Sequence, residues 1–273
     1  MSAIRENGSF VLASFGYDDR GRRTSLSRGN GTVTSYAYDP ASRLSGLTQD
    51  LAGGAHDLTL GFAHNPAGQI VSNTRSNDAY LLHGTGGLQA SVNGLNQLTG
   101  QNGVAFPHDG RGNLTGDGVR SFTFTAENRL ATGPGQNLYH DPLGRLVHLD
   151  GSVTDLLYHG TELIQEVQAF GGPTRRRFVH GPGADEPLVW YEGAGTGDRR
   201  WLHADERGSI VAVSDGAGNA LAVNRYDEYG TPASTNLGRF GYTGQLWLPE
   251  LGLWHYKARA YHPTLGRFLQ AHT

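Results

Sequence analysis

Along the whole chain, apolar and polar positions alternate over short stretches and do not recur at helical spacing. Thr32-Val-Thr-Ser-Tyr-Ala-Tyr38 and Arg120-Ser-Phe-Thr-Phe124 have the period of two expected of half-buried strands about five residues long. The one segment with helical character, Thr161-Glu-Leu-Ile-Gln-Glu-Val-Gln168, carries Ile and Val between Tyr158 and Phe170, so it reads as strand. Between the alternating stretches a turn signature returns: an aromatic residue or His, Asp or Asn, two residues often including Pro, then Gly, Asn or Ser, a polar residue, and an aliphatic one. It reads Tyr38-Asp-Pro-Ala-Ser-Arg-Leu44, His64-Asn-Pro-Ala-Gly-Gln-Ile70, Val92-Asn-Gly-Leu-Asn-Gln-Leu98, His108-Asp-Gly-Arg-Gly-Asn-Leu114, Phe124-Thr-Ala-Glu-Asn-Arg-Leu130 and His140-Asp-Pro-Leu-Gly-Arg-Leu146. Looser copies begin at Tyr17, Ala204 and Tyr226. The copies that start at 92, 108, 124 and 140 are 16 residues apart, and a fixed period marks a repeat architecture.

Each residue type in the signature has a mechanical role. Asp or Asn opens a type I turn by accepting backbone N–H groups, Pro presets the next φ, and Gly or Asn tolerates the left-handed conformation that follows. This is the three-residue hairpin loop with a bulge. It sets Tyr38 opposite Leu44, His64 opposite Ile70, His108 opposite Leu114 and His140 opposite Leu146 as cross-strand pairs. A second set of turn signals, such as Gly100-Gln-Asn-Gly103 and Gly133-Pro-Gly135, falls between the repeats. The expected fold is all-β: a meander of hairpins winding into a spiral sheet, in which each unit buries its aliphatic face against its neighbours.

Composition supports this picture and narrows the function. Glycine contributes 41 of 273 residues, about twice its usual share of roughly 7%, without the three-residue period of collagen. Charged residues are 17% and hydrophobic residues 37%, which excludes a coiled coil or a charge-driven disordered chain. A net charge of -3 supplies no basic field for nucleic acid or an anionic membrane. Lys257 is the lone lysine, and Arg175-Arg176-Arg177 reads as a solvated loop after Gly171-Gly172-Pro173. With no cysteine, disulfides and thiolate sites are excluded. No stretch approaches the roughly 18 apolar residues of a membrane span, and the first residues show no signal-peptide core.

The copies at Tyr38 and His140 resemble the Tyr-Asp-x-x-Gly-Arg-Leu repeats of the Rhs family. The last third is similar to the repeat-associated core segment of that family, in Trp201-Leu-His-Ala-Asp-Glu-Arg-Gly-Ser-Ile210, Arg225-Tyr-Asp-Glu-Tyr-Gly230, Phe240-Gly-Tyr-Thr-Gly-Gln245 and Glu250-Leu-Gly-Leu-Trp-His-Tyr-Lys-Ala-Arg-Ala-Tyr-His-Pro-Thr-Leu-Gly-Arg-Phe268. The resemblance implies a YD-repeat sheet over residues 1–183 continuous with a core segment over 184–273. It also implies a hollow shell that encloses a C-terminal toxin, released by self-cleavage at an Asp-Pro-x-Gly element soon after Gly-Arg-Phe. Here Gly266-Arg267-Phe268-Leu269-Gln270 is followed by Ala271-His272-Thr273, so neither that element nor a toxin cargo is expected in this chain. The implied role is a structural shell fragment of a polymorphic toxin or surface protein, secreted or associated with the cell envelope.

No catalytic, cofactor or metal residue is expected. His64, His108 and His140 stand where Tyr38 stands in its own copy, as interchangeable packing beside the turn. His203-Ala-Asp205 and His255-Tyr-Lys257 place residues two apart on one strand face but lack a third ligand at diagnostic spacing. Asp39, Asp109, Asp141, Asp205 and Asp227 all open turns. Trp190, Tyr191, Trp201, Trp247, Trp254, Tyr256 and Tyr261 read first as core. As a stacking surface they would support an alternative role in glycan or cell-surface binding. Open sheet edges carry a risk of self-association.

Overall fold

The computed structural model describes residues 2–84 and 90–271; of the expected departure at Ala271-His272-Thr273, His272 and Thr273 lie outside the described residues. The protein is all-β, its helical content among the described residues being the single 3-10 turns Asp78–Tyr80, Tyr242–Gly244 and Pro263–Leu265. It divides into two compact units. One comprises Met1–Leu82, Arg176–Arg225 and Pro232–Gly244; the other comprises His83–Arg175, Tyr226–Thr231 and Gln245–Thr273.

In the first unit the strands Ala3–Glu6, Phe10–Tyr17, Arg23–Arg28, Val33–Tyr38, Leu44–Asp50, Leu58–His64 and Ile70–Arg75 pair in chain order, each antiparallel to the one before. A second meander in the same unit runs through Pro187–Glu192, Arg199–Ala204, Ile210–Ser214 and Ala220–Val223. Their inner faces pack together. Leu12, Phe15 and Leu26 meet Leu188, Val189 and Trp201, and Leu47, Leu58, Leu60 and Phe62 meet Val211 and Ala212. Burying each such side chain contributes about 1.5–3 kcal/mol, and the alternation along each strand keeps the opposite face polar.

The second unit repeats the logic with shorter strands. Thr123–Phe124, Leu130–Gly133, Gln136–His140, Leu146–Leu149, Thr154–His159 and Glu162–Gln168 pair in chain order. Leu246–Leu248, Leu253–Tyr256, Arg259–His262 and Arg267–Phe268 form a four-stranded sheet, with Leu248, Leu253 and Trp254 buried. Glu162–Gln168 is a strand, as its Ile and Val suggest.

The expected pairs are present. Tyr38 lies opposite Leu44, His64 opposite Ile70, His108 opposite Leu114 and His140 opposite Leu146, with a register shift at Ala37/Tyr38, Ala63/His64 and Tyr139/His140. The fifth position of the signature is left-handed whatever residue fills it, with φ 64 at Ser42, 83 at Gly68, 58 at Asn96 and 77 at Gly144.

Two expectations are corrected. Arg175, Arg176 and Arg177 are not a solvated loop; they belong to the strand Thr174–His180, where Arg176 lies opposite Glu192 and Arg177 opposite Tyr191. Half-buried guanidinium groups are stable there because they meet a carboxylate and an aromatic face. The stretch Arg120–Phe124 keeps only Thr123–Phe124 as strand. Upstream, the Asp117 carboxylate accepts the N–H of Arg120, and Ser121 makes only an isolated bridge with Gly116, so the ladder is interrupted before Thr123.

Candidate functional site

The recurring polar feature is the turn itself. At Asp141, Oδ1 accepts the N–H groups of Leu143 and Arg145 at 2.9 Å each, and Oδ2 accepts Arg145 Nε at 2.7 Å. At Asp39, Oδ1 accepts the N–H of Arg43 at 2.9 Å, and Oδ2 accepts Arg43 Nε at 2.7 Å. The Arg43 N–H, followed by its guanidinium, holds the Asp39 carboxyl below its ordinary range. Asp109, Asp205 and Asp227 accept the corresponding pair of N–H groups in their own turns. A further copy, Ser214-Asp215-Gly-Ala-Gly218-Asn-Ala220, has the same geometry. Its serine in the first position hides it from an aromatic-based pattern.

The polar residue near the end of the signature has a function that spacing alone does not disclose. Arg43 Nη1 donates to the carbonyl of Asn65 at 2.9 Å, and Asn65 opens the next turn. Arg145 Nη1 donates to the carbonyl of Gly160 at 2.7 Å, and Arg22 lies over the ring of Tyr38 with its guanidinium carbon 4.5 Å from the centroid. One side chain therefore closes its own turn and ties it to a neighbouring hairpin.

A buried polar network crosses the interior of the first unit. Arg28 Nη1 donates to Thr34 Oγ1 at 2.8 Å, and Thr34 Oγ1 donates to Gln49 Oε1 at 2.6 Å. Gln49 Nε2 donates to the carbonyl of Ala204 at 2.7 Å. His203 sets Nε2 2.8 Å from Ser214 Oγ and Nδ1 3.4 Å from Gln49 Oε1. Burial, reinforced by the Arg28 guanidinium, pushes the His203 imidazole well below its ordinary range. His203 and Ser214 are fully enclosed, so this serine–histidine pair cannot meet a substrate, and its chemistry is that of a satisfied interior network. Asp205, two residues on, faces its own turn; its own burial, ahead of the opposing Arg207 charge, raises its carboxyl above the usual range.

In the second unit, burial lowers His140, and burial followed by the nearby His140 and Arg129 lowers His255 to about 3. Lys257 pairs with Glu162 at 3.6 Å. Among the described residues, no group of three His, Cys, Asp or Glu side chains converges as a metal cluster. Trp190, Trp201 and Trp254 are core, with Trp201 Nε1 donating to the carbonyl of Leu12 at 3.1 Å and Trp254 Nε1 to that of Gly230 at 2.9 Å. A concavity of about 770 Å³ is lined by His108, Arg111, Phe268 and neighbouring residues, without a nucleophile placed against a base.

Residues 189–273 match the Teneurin YD-shell family and residues 17–56 the RHS Repeat family. The tRNA nuclease WapA of Bacillus subtilis (strain 168) is 27% identical to this chain, over 94% of the chain and 13% of the nuclease. The double-stranded DNA deaminase toxin A of Burkholderia cenocepacia (strain H111) is 25% identical, over 93% of the chain and 22% of the toxin. In the Photorhabdus luminescens Tc holotoxin pore, one chain superimposes with a TM-score of 0.63 at 15% identity, over 97% of this chain and 18% of that one. Both segments are thus similar to YD-repeat proteins of the Rhs type. The chain spans less than a quarter of the length of these relatives.

The strand Arg259–His262 also joins a cluster that neither turn signature nor ligand spacing announces. His262 Nε2 lies 3.0 Å from Asp117 Oδ2 and contacts Arg120, whose Nε donates to the same carboxylate at 2.7 Å and whose Nη1 donates to the carbonyl of Leu251 at 2.7 Å. The His262 contact and the turn's own N–H groups outweigh desolvation and lower the Asp117 carboxyl to about 2. Histidine and carboxylate are both deeply buried, so the cluster locks the turn at Asp117, which lies between two repeat copies, to the strand Arg259–His262.

Proposed function

We propose that this chain forms part of the wall of a hollow β-sheet shell around a cargo domain and has no enzymatic activity of its own. The observation that carries the reading is the bridging arginine: Arg43 and Arg145 each complete a hydrogen bond on a neighbouring hairpin, so these repeats are fully satisfied with the next hairpin of a wall beside them. The fold shared with the Tc holotoxin chain over 97% of this protein supports the same role. The nuclease and deaminase activities that name the relatives then reside in cargo, outside the shared 13% and 22% of those proteins. On this reading, a parent protein carrying such a wall acts outside the cell that makes it.

The test uses the purified chain and the chain with a folded reporter domain joined after Thr273. The chain leaves tRNA and double-stranded DNA unchanged, and the wall slows proteolysis of the reporter relative to the free domain. Turnover of either nucleic acid by the chain alone refutes the non-enzymatic reading; unaltered reporter digestion refutes the enclosing one.

A further inference from the structure

Four side chains of the second unit form a transverse row on the exposed face of its sheet. Tyr139 pairs across strands with His148, His148 with Asp155 and Asp155 with Val167, while their neighbours Leu138, Leu149 and Thr154 point into the core. His148 Nδ1 lies 2.6 Å from Asp155 Oδ1, and Nε2 lies 3.8 Å from Asp150 Oδ1. Two rings flank the imidazole, Tyr139 at a centroid distance of 5.4 Å and Phe170 at 6.1 Å.

Phe170 is the residue that folding does not explain. It is 88% exposed, and it has φ 63, a conformation rare for a bulky side chain. Gly171 and Gly172 follow directly, so a glycine in that place would suit the turn better. A strained residue that contributes no core packing points to a task at the surface.

The charges say what the task is. Across this protein, Asp18, Asp39, Asp117 and Asp141 each pair with an arginine. Among the described residues neither Asp150 nor Asp155 has such a partner; Asp150 accepts only the Asn137 amide at 3.0 Å besides facing His148. Arg175 is committed to Ser152 and Thr154. Two carboxylates against one imidazole give the patch an excess of acidic groups. A guanidinium fits this combination because it stacks on an aromatic face while donating two parallel hydrogen bonds to a carboxylate. We propose that Tyr139, Phe170, Asp150 and Asp155 form a docking site for an arginine side chain presented by a partner polypeptide.

The test is a two-dimensional NMR titration of the full chain with acetyl-glycyl-arginyl-glycinamide and with its citrulline counterpart, which keeps the shape and loses the charge. Saturable shifts at His148, Asp155 and Phe170 are expected with the arginine peptide, at least tenfold weaker with citrulline. They disappear in the Asp150→Asn/Asp155→Asn double variant. Phe170→Gly separates binding from folding: it leaves thermal stability equal or higher and weakens the peptide several-fold. Equal shifts with citrulline, no saturation, unchanged binding in Phe170→Gly, or selective shifts with a neutral disaccharide such as maltose overturn the proposal.

Discussion

The fifth position of the repeat can be tested by exchanging residue types between two successive copies. Gly21 and Ser42 occupy the same place, with φ 75 and 64. A Cβ added at Gly21 meets nothing within 4 Å, so Gly21→Ala changes only the backbone preference. Placing an L-residue in the left-handed region costs about 1–2 kcal/mol, and removing a glycine from the unfolded chain returns about 0.4–1 kcal/mol. The net expectation is a loss of about 1 kcal/mol. Ser42→Gly inverts both contributions, and the serine's hydroxyl gives up an exposed, long 3.3 Å bond from Arg20, so a gain of roughly 0.5 kcal/mol is expected. Both turns belong to the unit that contains Trp190 and Trp201, and Trp247 and Trp254 belong to the other, so in a Trp247→Phe/Trp254→Phe background urea unfolding followed by tryptophan fluorescence reads the correct transition. A Gly21→Ala protein as stable as the parent, or a Ser42→Gly protein less stable than Gly21→Ala, would refute the assignment of left-handedness as the reason for this position.

Further expectations follow from burial and charge. Leu146 is wholly buried, and Leu146→Ala should lower the unfolding free energy by about 2–5 kcal/mol; a calorimetric or urea-derived loss under 1 kcal/mol would mean that this sheet face is not core. His203 is held neutral by burial and by Arg28. Its stabilising contribution is complete above the unfolded-state value of about 6.5 and is lost as pH falls below it, because the unfolded chain then binds the proton. His203→Gln should therefore flatten the decline in urea midpoint between neutral pH and pH 5, and an unchanged slope would exclude His203 as its source. Glu6 behaves likewise in a lower window: the Arg199 hydrogen bond, against desolvation, lowers its carboxyl, so its contribution is present above about 4.5 and fades in more acidic solution. Glu6→Gln should differ from the parent at neutral pH and converge with it in acid denaturation profiles.

The turns were legible because their causes are local. An Asp that accepts the N–H groups two and four residues ahead, and a left-handed residue three places after it, are satisfied within a heptapeptide, so Asp39, Ser42 and Asp141, Gly144 could be assigned from spacing alone. The cross-strand pair Tyr38 and Leu44 follows from the same loop geometry. Arginine roles escaped that reading. Arg43 finds its second partner 22 residues away and Arg145 finds one 15 residues away, distances set by how one hairpin lies beside the next. Arg176 and Arg177 looked like a solvated run until Glu192 and Tyr191 on a paired strand gave them partners.

The same limit governs the interior and the surface. Alternation marks Leu26 and Arg28 for one face, but it could not say that this face would be covered, because the cover comes from Leu202 and its neighbours some 174 residues later. The sequence by itself determined the hairpins and their register, since each rests on short-range steric and hydrogen-bonding rules. Tertiary structure decided which polar groups are sealed, as with Arg28 and His203, and which carboxylates are left without an arginine, as with Asp150 and Asp155, because desolvation and charge pairing depend on what packs against a side chain from far along the chain.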